Sequence, residues 1–397
     1  MRKILFLIDQ IPPSRSANGI CADKIMTVLA KSNMVYCIGT NPLSREKEYK
    51  YIMIQGINKS NGKSIIYKGI RAVMGICKSI IHLPIYPASS FNLAQSYYKS
   101  ACTIIEQEKI DTVVAVSFPG EAMIACEKLK KKYGSSIRTI LYPLDVSIEG
   151  NRSKNRAYHT ASCFFAKRNL DRQITITDNV IVLENASELY KANFPQHIHK
   201  MLFAGIPMIE NIDISAPLKK NEEEFRIMYA GNISSNMYNP IPILSMLDRE
   251  AGASGLRISF HLYGHADKRL LNKLATCFKN ITFENHGWVD EEELNNGLLE
   301  ADACLNIAKT VTNTIPSKFF KYMCLYKPIL HYYYDDNDPC LDYLKKYTYS
   351  VMIKAGEQCN VKIIESIKNY DIRKRDLEKI FYTCTPQYTA ELIASYN

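Results

Sequence analysis

The chain predicts an α/β protein built from two doubly wound domains with parallel sheets. Three observations lead there. Short apolar runs alternate with longer amphipathic stretches, the alternation occurs twice with a polar stretch between, and a chain of 397 residues that is 47% apolar can fill two or three cores at about 150 residues per domain. Strand and helix in alternation imply parallel strands with helices on both faces.

In order, the first half carries strand-like runs at KILFLI, MVYCIG, TVVAVS, TILYPL and NVIVL. The second half carries FRIMYAG, ISFHLYG, ITFENHG, ACLNIA and PILHYY. Nearly continuous apolar runs of this kind suit strands buried on both faces. Between them, residues 21–31, 120–133 and 291–300 have helical periodicity. The polar segment SAPLKKNEEEF, residues 215–225, reads as the linker. Ligands of such sheets bind at the carboxyl ends of the strands, so chemistry is sought in the loops that follow them. A two-domain dehydrogenase would share this layout, as would a periplasmic binding protein. Neither fits, because no strand is followed by G-x-G-x-x-G and the opening MRKILFLIDQIPPS is too short in apolar residues for an export signal.

The twelve cysteines form no C-x-x-C pair, so neither a zinc site nor a disulfide framework is signalled and a reducing compartment is expected. No run approaches the apolar length of a membrane-spanning helix. The expected location is cytoplasmic, or peripheral at the inner face of the plasma membrane. The net charge of +10 is uneven: residues 1–200 hold 28 basic and 15 acidic residues, and residues 201–397 hold 22 and 25. Residues 51–100 hold six basic residues and no acidic one, interleaved with Ile, Tyr, Phe and Leu. Such a surface suits an anionic membrane. An amphipathic helix packed on its own domain is the competing reading, and no motif accompanies the charge to suggest nucleic acid.

The stretch NTIPSKFFKYMCLYKPIL follows the run ACLNIA. Thr314 can cap a helix, Pro316 suits its first turn, and the free N–H groups near Ser317 form an anion site. The Ser317 hydroxyl and Lys318 ammonium add the charge-assisted donors that a diphosphate requires. An ordinary capped helix with a solvated lysine is the alternative.

Together with IMYAGNIS, FHLYGHAD and NHGWVDEEELNNGLLEADACLNI upstream, this stretch resembles the carboxyl-terminal domain of the family 4-like glycosyltransferases (glycosyl transferases group 1) of GT-B fold. The four blocks match in order and spacing from Phe225 to about Tyr333, and SANGICADKIMTVLAKSN stands where that family has a glycine-rich turn. The resemblance implies two facing Rossmann-like domains: an acceptor domain at 1–205, a nucleotide-sugar domain at 206–375, and a helix in 376–397 returning to the first. It implies that Ser317 and Lys318 hold the donor diphosphate and that Gly287, Trp288 and Val289 lie beside the base. Gly231, Asn232 and Gly19 would let backbone approach the donor, Gly19 from across the cleft, where a Cβ would intrude. No metal and no cofactor beyond the donor is implied.

Three departures stand out. The family usually has a glutamate where this chain has Lys321, which offers ribose hydroxyls donors but no acceptor. Tyr326 replaces a glycine, which suggests a different turn. Arg and Lys are missing from GNISSNMYNP, leaving Lys318 and Lys321 to supply most of the positive charge.

The implied reaction is retaining transfer from a nucleoside-diphosphate sugar to a lipid-linked or oligosaccharide acceptor in bacterial surface polysaccharide assembly. Fixed donors would stabilise charge on the departing diphosphate. Glu121, Asp145 and Glu149 follow strands of the first domain and are the acidic candidates for orienting an acceptor hydroxyl. Each could equally be a helix-start or loop carboxylate. His159 is a further candidate, though a helix-surface role is as compatible. Lys321 and Tyr326 also motivate a rival reading, a non-catalytic scaffold that binds a partner enzyme or a glycan. A sugar-nucleotide epimerase would need acid and base groups that the sequence does not place.

Overall fold

The computed structural model describes residues 1–14, 16–43, 46–55, 80–117, 120–145, 148, 155–212, 224–235, 238–308, 315–357, 362–370 and 376–395. The chain divides into two units, Met1–Pro207 with Thr383–Asn397, and Met208–Tyr382. The short helix Leu377–Ile380 thus belongs to the second unit. The expected linker lies almost wholly outside the described residues.

The first unit carries a seven-stranded parallel sheet of β1 (Lys3–Leu7), β2 (Met34–Gly39), β3 (Lys50–Met53), β4 (Thr112–Ser117), β5 (Arg138–Pro143), β6 (Asn179–Leu183) and β7 (Met201–Ala204). Its order is β3-β2-β1-β4-β5-β6-β7. β4 and β6 are buried at every position, as their unbroken apolar runs require. The strands that sequence periodicity missed, β3 and β7, lie at the two margins. Lys50–Met53 buries none of its four residues, so it has no apolar run to detect.

The closing helix Pro386–Ala394 packs on the helix Ala17–Ala30 of this unit. Thr385 caps it by accepting from Tyr388 N–H at 3.1 Å, and Arg138 Nη1 donates to its last carbonyls, Ile393 O at 3.0 Å and Ser395 O at 2.6 Å. A guanidinium at a helix carboxyl end satisfies orphan acceptors and opposes the dipole.

The second unit repeats the plan with β8 (Glu224–Ala230), β9 (Arg257–Tyr263), β10 (Ile281–Gly287), β11 (Ala303–Ile307), β12 (Ile329–Tyr333) and β13 (Ser350–Lys354). All its neighbours are parallel, in the order β10-β9-β8-β11-β12-β13. Numbered within the unit this is 3-2-1-4-5-6, the dinucleotide-fold order, with its switch point between β8 and β11. Phe225, Ile227, Phe260, Leu262 and Leu305 make the centre of its core. β13 is the marginal strand here that periodicity missed. Among the described residues no helix is long and apolar enough to cross a membrane.

The Tyr326 turn keeps the backbone that a glycine would favour. Tyr326 has φ +51°, its N–H donates to Met323 O at 2.8 Å, and Lys327 N–H reaches back to Tyr322 O at 3.0 Å. That is a Schellman end to the helix Ser317–Cys324. The expectation of a different turn is therefore corrected: tyrosine occupies the left-handed position, its ring buried. Lys327 follows it inward, its ammonium donating at 2.7 Å to Leu299 O and Ala301 O at the carboxyl end of the helix Glu291–Glu300. Burial pulls the Lys327 pKa down, while Cys304 and Asp302 favour its charge.

Candidate functional site

At the switch point of the second unit, β8 ends in Gly231, with φ +121°. Gly231 N–H donates to Tyr263 O at 2.8 Å. A Cβ on Gly264 would stand 2.1 Å from Gly231 O, so the ends of β8 and β9 meet backbone to backbone. Asn232 Oδ1 accepts from His265 N–H at 3.1 Å, which joins the two loops one residue further out. The glycines and Asn232 thus build one rigid rim. The neighbouring cavity, about 270 Å³, is lined by Ser235, Arg269 and Lys273. These cations come from the helix after β9 and were not singled out in the sequence, because they lie outside the matched blocks.

The helix Ser317–Cys324 begins beyond β11, on the other side of the switch point. Pro316 occupies its N-cap position, one residue earlier than the expected first turn, and among the described residues no side chain caps it. Thr314, the expected cap, lies outside the described residues. Tyr322 ties this helix to β8 by accepting from Ala230 N–H at 2.9 Å. One turn earlier, Lys318 Nζ sits 3.1 Å from the ring centroid of buried Tyr229 and 5.6 Å from that of Tyr238.

Lys318 is half-buried as a residue, yet its ammonium is turned inward against the rings. Removal from water drives its pKa well below the ordinary lysine value, and only the Cys304 and Cys340 thiols oppose that shift. Among the described residues it pairs with no carboxylate. A π face is a weak partner for an ammonium, contributing about 0.5 to 2 kcal/mol, so it offsets only part of the cost of burying this cation. Tyr229 reads in sequence as an ordinary core residue of a strand, which hides its contact with Lys318.

Lys321 behaves differently. Its ammonium lies 3.6 Å from Glu291 Oε1, at the start of the helix that follows the Gly287 turn. Lys321 thus has an acidic neighbour that the sequence did not point to, in a partly solvated pair of the weak kind. Gly287 has φ +66°, Trp288 is half exposed and meets His265 edge-on at 5.4 Å, and Val289 is half-buried. Ser317 is half-buried at the first helical position.

In the first unit the switch point lies between β1 and β4. Asn18 Nδ2, in the first turn of the helix Ala17–Ala30, donates to Ser117 O at 2.8 Å and to Asp145 Oδ2 at 2.6 Å. Asn18, which sequence reasoning passed over, thereby fixes Asp145 over the ends of β4 and β5. Gly19 has a local reason to be glycine, since a Cβ there would stand 1.9 Å from Gln10 O.

Glu121 is buried, and its Oε1 accepts from Ser89 N–H at 2.7 Å and Ser89 Oγ at 3.0 Å. It holds the 87–90 turn, and that oxygen is committed within its own unit. His159 is half-buried on the helix Arg156–Ile176, with Cys163 Sγ 3.8 Å from its ring. Glu149 lies outside the described residues.

No family model and no curated protein matches the chain. Solved structures do. One is WaaG, a glycosyltransferase involved in lipopolysaccharide biosynthesis, at 12% identity over 99% of this chain and 100% of that one, with a TM-score of 0.55. Another is the catalytic domain of starch synthase IV from Arabidopsis thaliana bound to ADP and acarbose, at 8% identity over 100% and 95%, with a TM-score of 0.54. A third is UDP-GlcNAc 2-epimerase from Methanocaldococcus jannaschii, at 12% identity over 98% and 99%, with a TM-score of 0.52. The fold they share with this chain is GT-B, a pair of Rossmann-like α/β domains.

Proposed function

We propose that the chain is a retaining glycosyltransferase that moves a sugar from a nucleoside-diphosphate sugar to a lipid-linked or oligosaccharide acceptor in bacterial surface polysaccharide assembly. The observation that carries this reading is Lys318, an ammonium at the switch point seated on the Tyr229 ring with no carboxylate partner among the described residues, beside a helix start that no described side chain caps. Such a place suits a diphosphate. In the reaction the glycosidic bond to the diphosphate breaks as the acceptor oxygen bonds the anomeric carbon. Lys318 and the helix N–H groups stabilise the charge left on the diphosphate, whose oxygen takes the acceptor's proton. Asp145, fixed by Asn18, orients the acceptor hydroxyl. The likeness to WaaG favours a surface-glycan acceptor, and the ADP bound to starch synthase IV favours a nucleotide donor.

The test is calorimetric titration with UDP, GDP and ADP, followed by incubation of the matching nucleotide sugar with and without glycan acceptors. One nucleotide binds, and a new glycosidic bond of unchanged anomeric configuration appears by NMR. An isomerised nucleotide sugar without acceptor would instead place the chain with the epimerase. Binding of none by the folded protein would favour the non-catalytic scaffold.

The same reading puts the acceptor domain against a membrane. Residues 56–79, which hold five of the six basic residues of the segment, lie outside the described residues, but Ile80, Ile81 and Phe91 of the same segment are 56%, 66% and 53% exposed. Co-sedimentation with anionic vesicles is expected to strengthen at low salt. Replacing Ile81 and Phe91 by Glu should weaken it roughly tenfold or more, since each apolar side chain contributes about 1.5 kcal/mol or more when buried. Equal pelleting of wild type and variant would remove these residues from the contact.

A further inference from the structure

The exposed margin of the second sheet carries a cluster that the sugar-transfer reading does not use. His261 on β9 and Glu284 on β10 are register partners. The register then slips between Asn285 and Gly287, which makes His286 the extra residue of a bulge and re-aims its side chain. His261 Nδ1 lies 3.0 Å from His286 Nε2 and 3.5 Å from Glu284 Oε2, and His286 Nε2 lies 3.8 Å from that same oxygen. Ligand bonds of about 2.1 Å in tetrahedral geometry set neighbouring ligand atoms roughly 3.4 Å apart. The three separations bracket that edge. The three atoms therefore already form one face of a tetrahedron.

The surroundings hold both rings in place. His261 Nε2 lies 2.9 Å from the hydroxyl of fully buried Ser259, and the His286 ring stacks on Tyr263 at 4.1 Å with 5° between planes. With Ser259 accepting from Nε2–H, the lone pair of His261 Nδ1 points at His286, whose Nε2–H fills the gap. A cation entering there replaces that single proton with two nitrogen bonds and a carboxylate bond. A hydrogen-bond partner on the far nitrogen is the arrangement that orients metal-ligating histidines.

We propose that His261, Glu284 and His286 form a Zn²⁺ site, with water at the fourth position on the side where Glu284 is half exposed. Two imidazoles and one carboxylate on a rigid strand pair suit zinc better than calcium or magnesium, which favour oxygen. On loading, the proton between the two rings leaves His286 Nε2 and that ring carries its proton on Nδ1 instead, so both imidazoles bind in the neutral form. Periodicity gives no hint of the site, because its residues are spread over two strands and one stands at a bulge. His286 directly precedes Gly287, so the cation would brace the strand that carries the Gly287–Val289 turn.

Zn²⁺ titration of the chelator-treated full-length chain tests the proposal. One equivalent binds. His286→Gln and His261→Ala each weaken binding by roughly 100-fold or more, and Ser259→Ala weakens it roughly tenfold through ring orientation. His286→Gln, nearer the surface, serves if His261→Ala fails to fold. Cobalt substitution gives ligand-field bands without thiolate charge transfer. Binding no tighter in wild type than in folded His286→Gln overturns the site. So does a thiolate band, which would move the ion to a cysteine such as Cys340 beside His331 and Asp338. Neither result bears on nucleotide binding, which is measured separately.

Discussion

Lys318→Met weakens binding of the matching nucleoside diphosphate roughly 100-fold and slows sugar transfer by about two to three orders of magnitude, while making the protein more stable. The first two effects follow from loss of a charge-assisted donor, about 1.5 to 3 kcal/mol in binding and about 3 kcal/mol in a transition state that accumulates charge on the leaving group. The third follows from the apo geometry. Lys318 Nζ rests on Tyr229 without a carboxylate among the described residues, so methionine of similar length removes the cost of desolvating an ammonium. A gain of about 1 to 2 kcal/mol is expected. A variant that loses stability and keeps its nucleotide affinity would make Lys318 a packing residue and sink the assignment.

The pH dependence has a definite sign. Burial lowers the Lys318 pKa in the folded protein, so between that value and the ordinary lysine value of about 10.4 the unfolded chain binds more protons. Wild-type stability relative to Lys318→Met therefore rises with pH through that window. A bound diphosphate raises the pKa again. Above about pH 6, where the terminal phosphate is itself ionised, affinity falls as pH rises toward the bound-state pKa, with proton uptake on binding. Opposite slopes for stability and affinity, both absent in Lys318→Met, would tie the two to one ammonium.

The central strands of both sheets were legible because a strand buried on both faces must be apolar throughout. The margins were not: Lys50–Met53 is solvated and carries no run. The helix start at Ser317 was legible from its proline and hydroxyl to within a residue. What the ammonium touches was not, since Tyr229 and Lys318 meet only because β8 and β11 are neighbours. The same holds for Asn18, which reaches Asp145 across 127 positions. Tyr326 shows the limit of residue preference. Its side chain suggests a different turn, but the Schellman bonds and the buried ring outweigh a strain of about 1 kcal/mol or more.

Gly264→Ala should lower the unfolding temperature of the second unit by roughly 6 to 12 °C and weaken nucleotide binding with it. Gly264 has φ +152°, and its Cβ would lie 2.1 Å from Gly231 O, a contact that backbone alone must relieve. Left-handed strain and overpacking together cost roughly 3 kcal/mol, and a domain of this size loses about 2 to 4 °C per kcal/mol. The relief must come from Gly231, whose N–H is bonded to Tyr263 O, so the rim beside Lys318 moves. Gly255→Ala is the control: it has φ +69° but nothing within 4 Å of its Cβ, so it pays strain alone and sits away from the switch point. A Gly264→Ala protein with the stability and affinity of Gly255→Ala would mean that the two backbones do not meet as described, and that the rim does not position the donor.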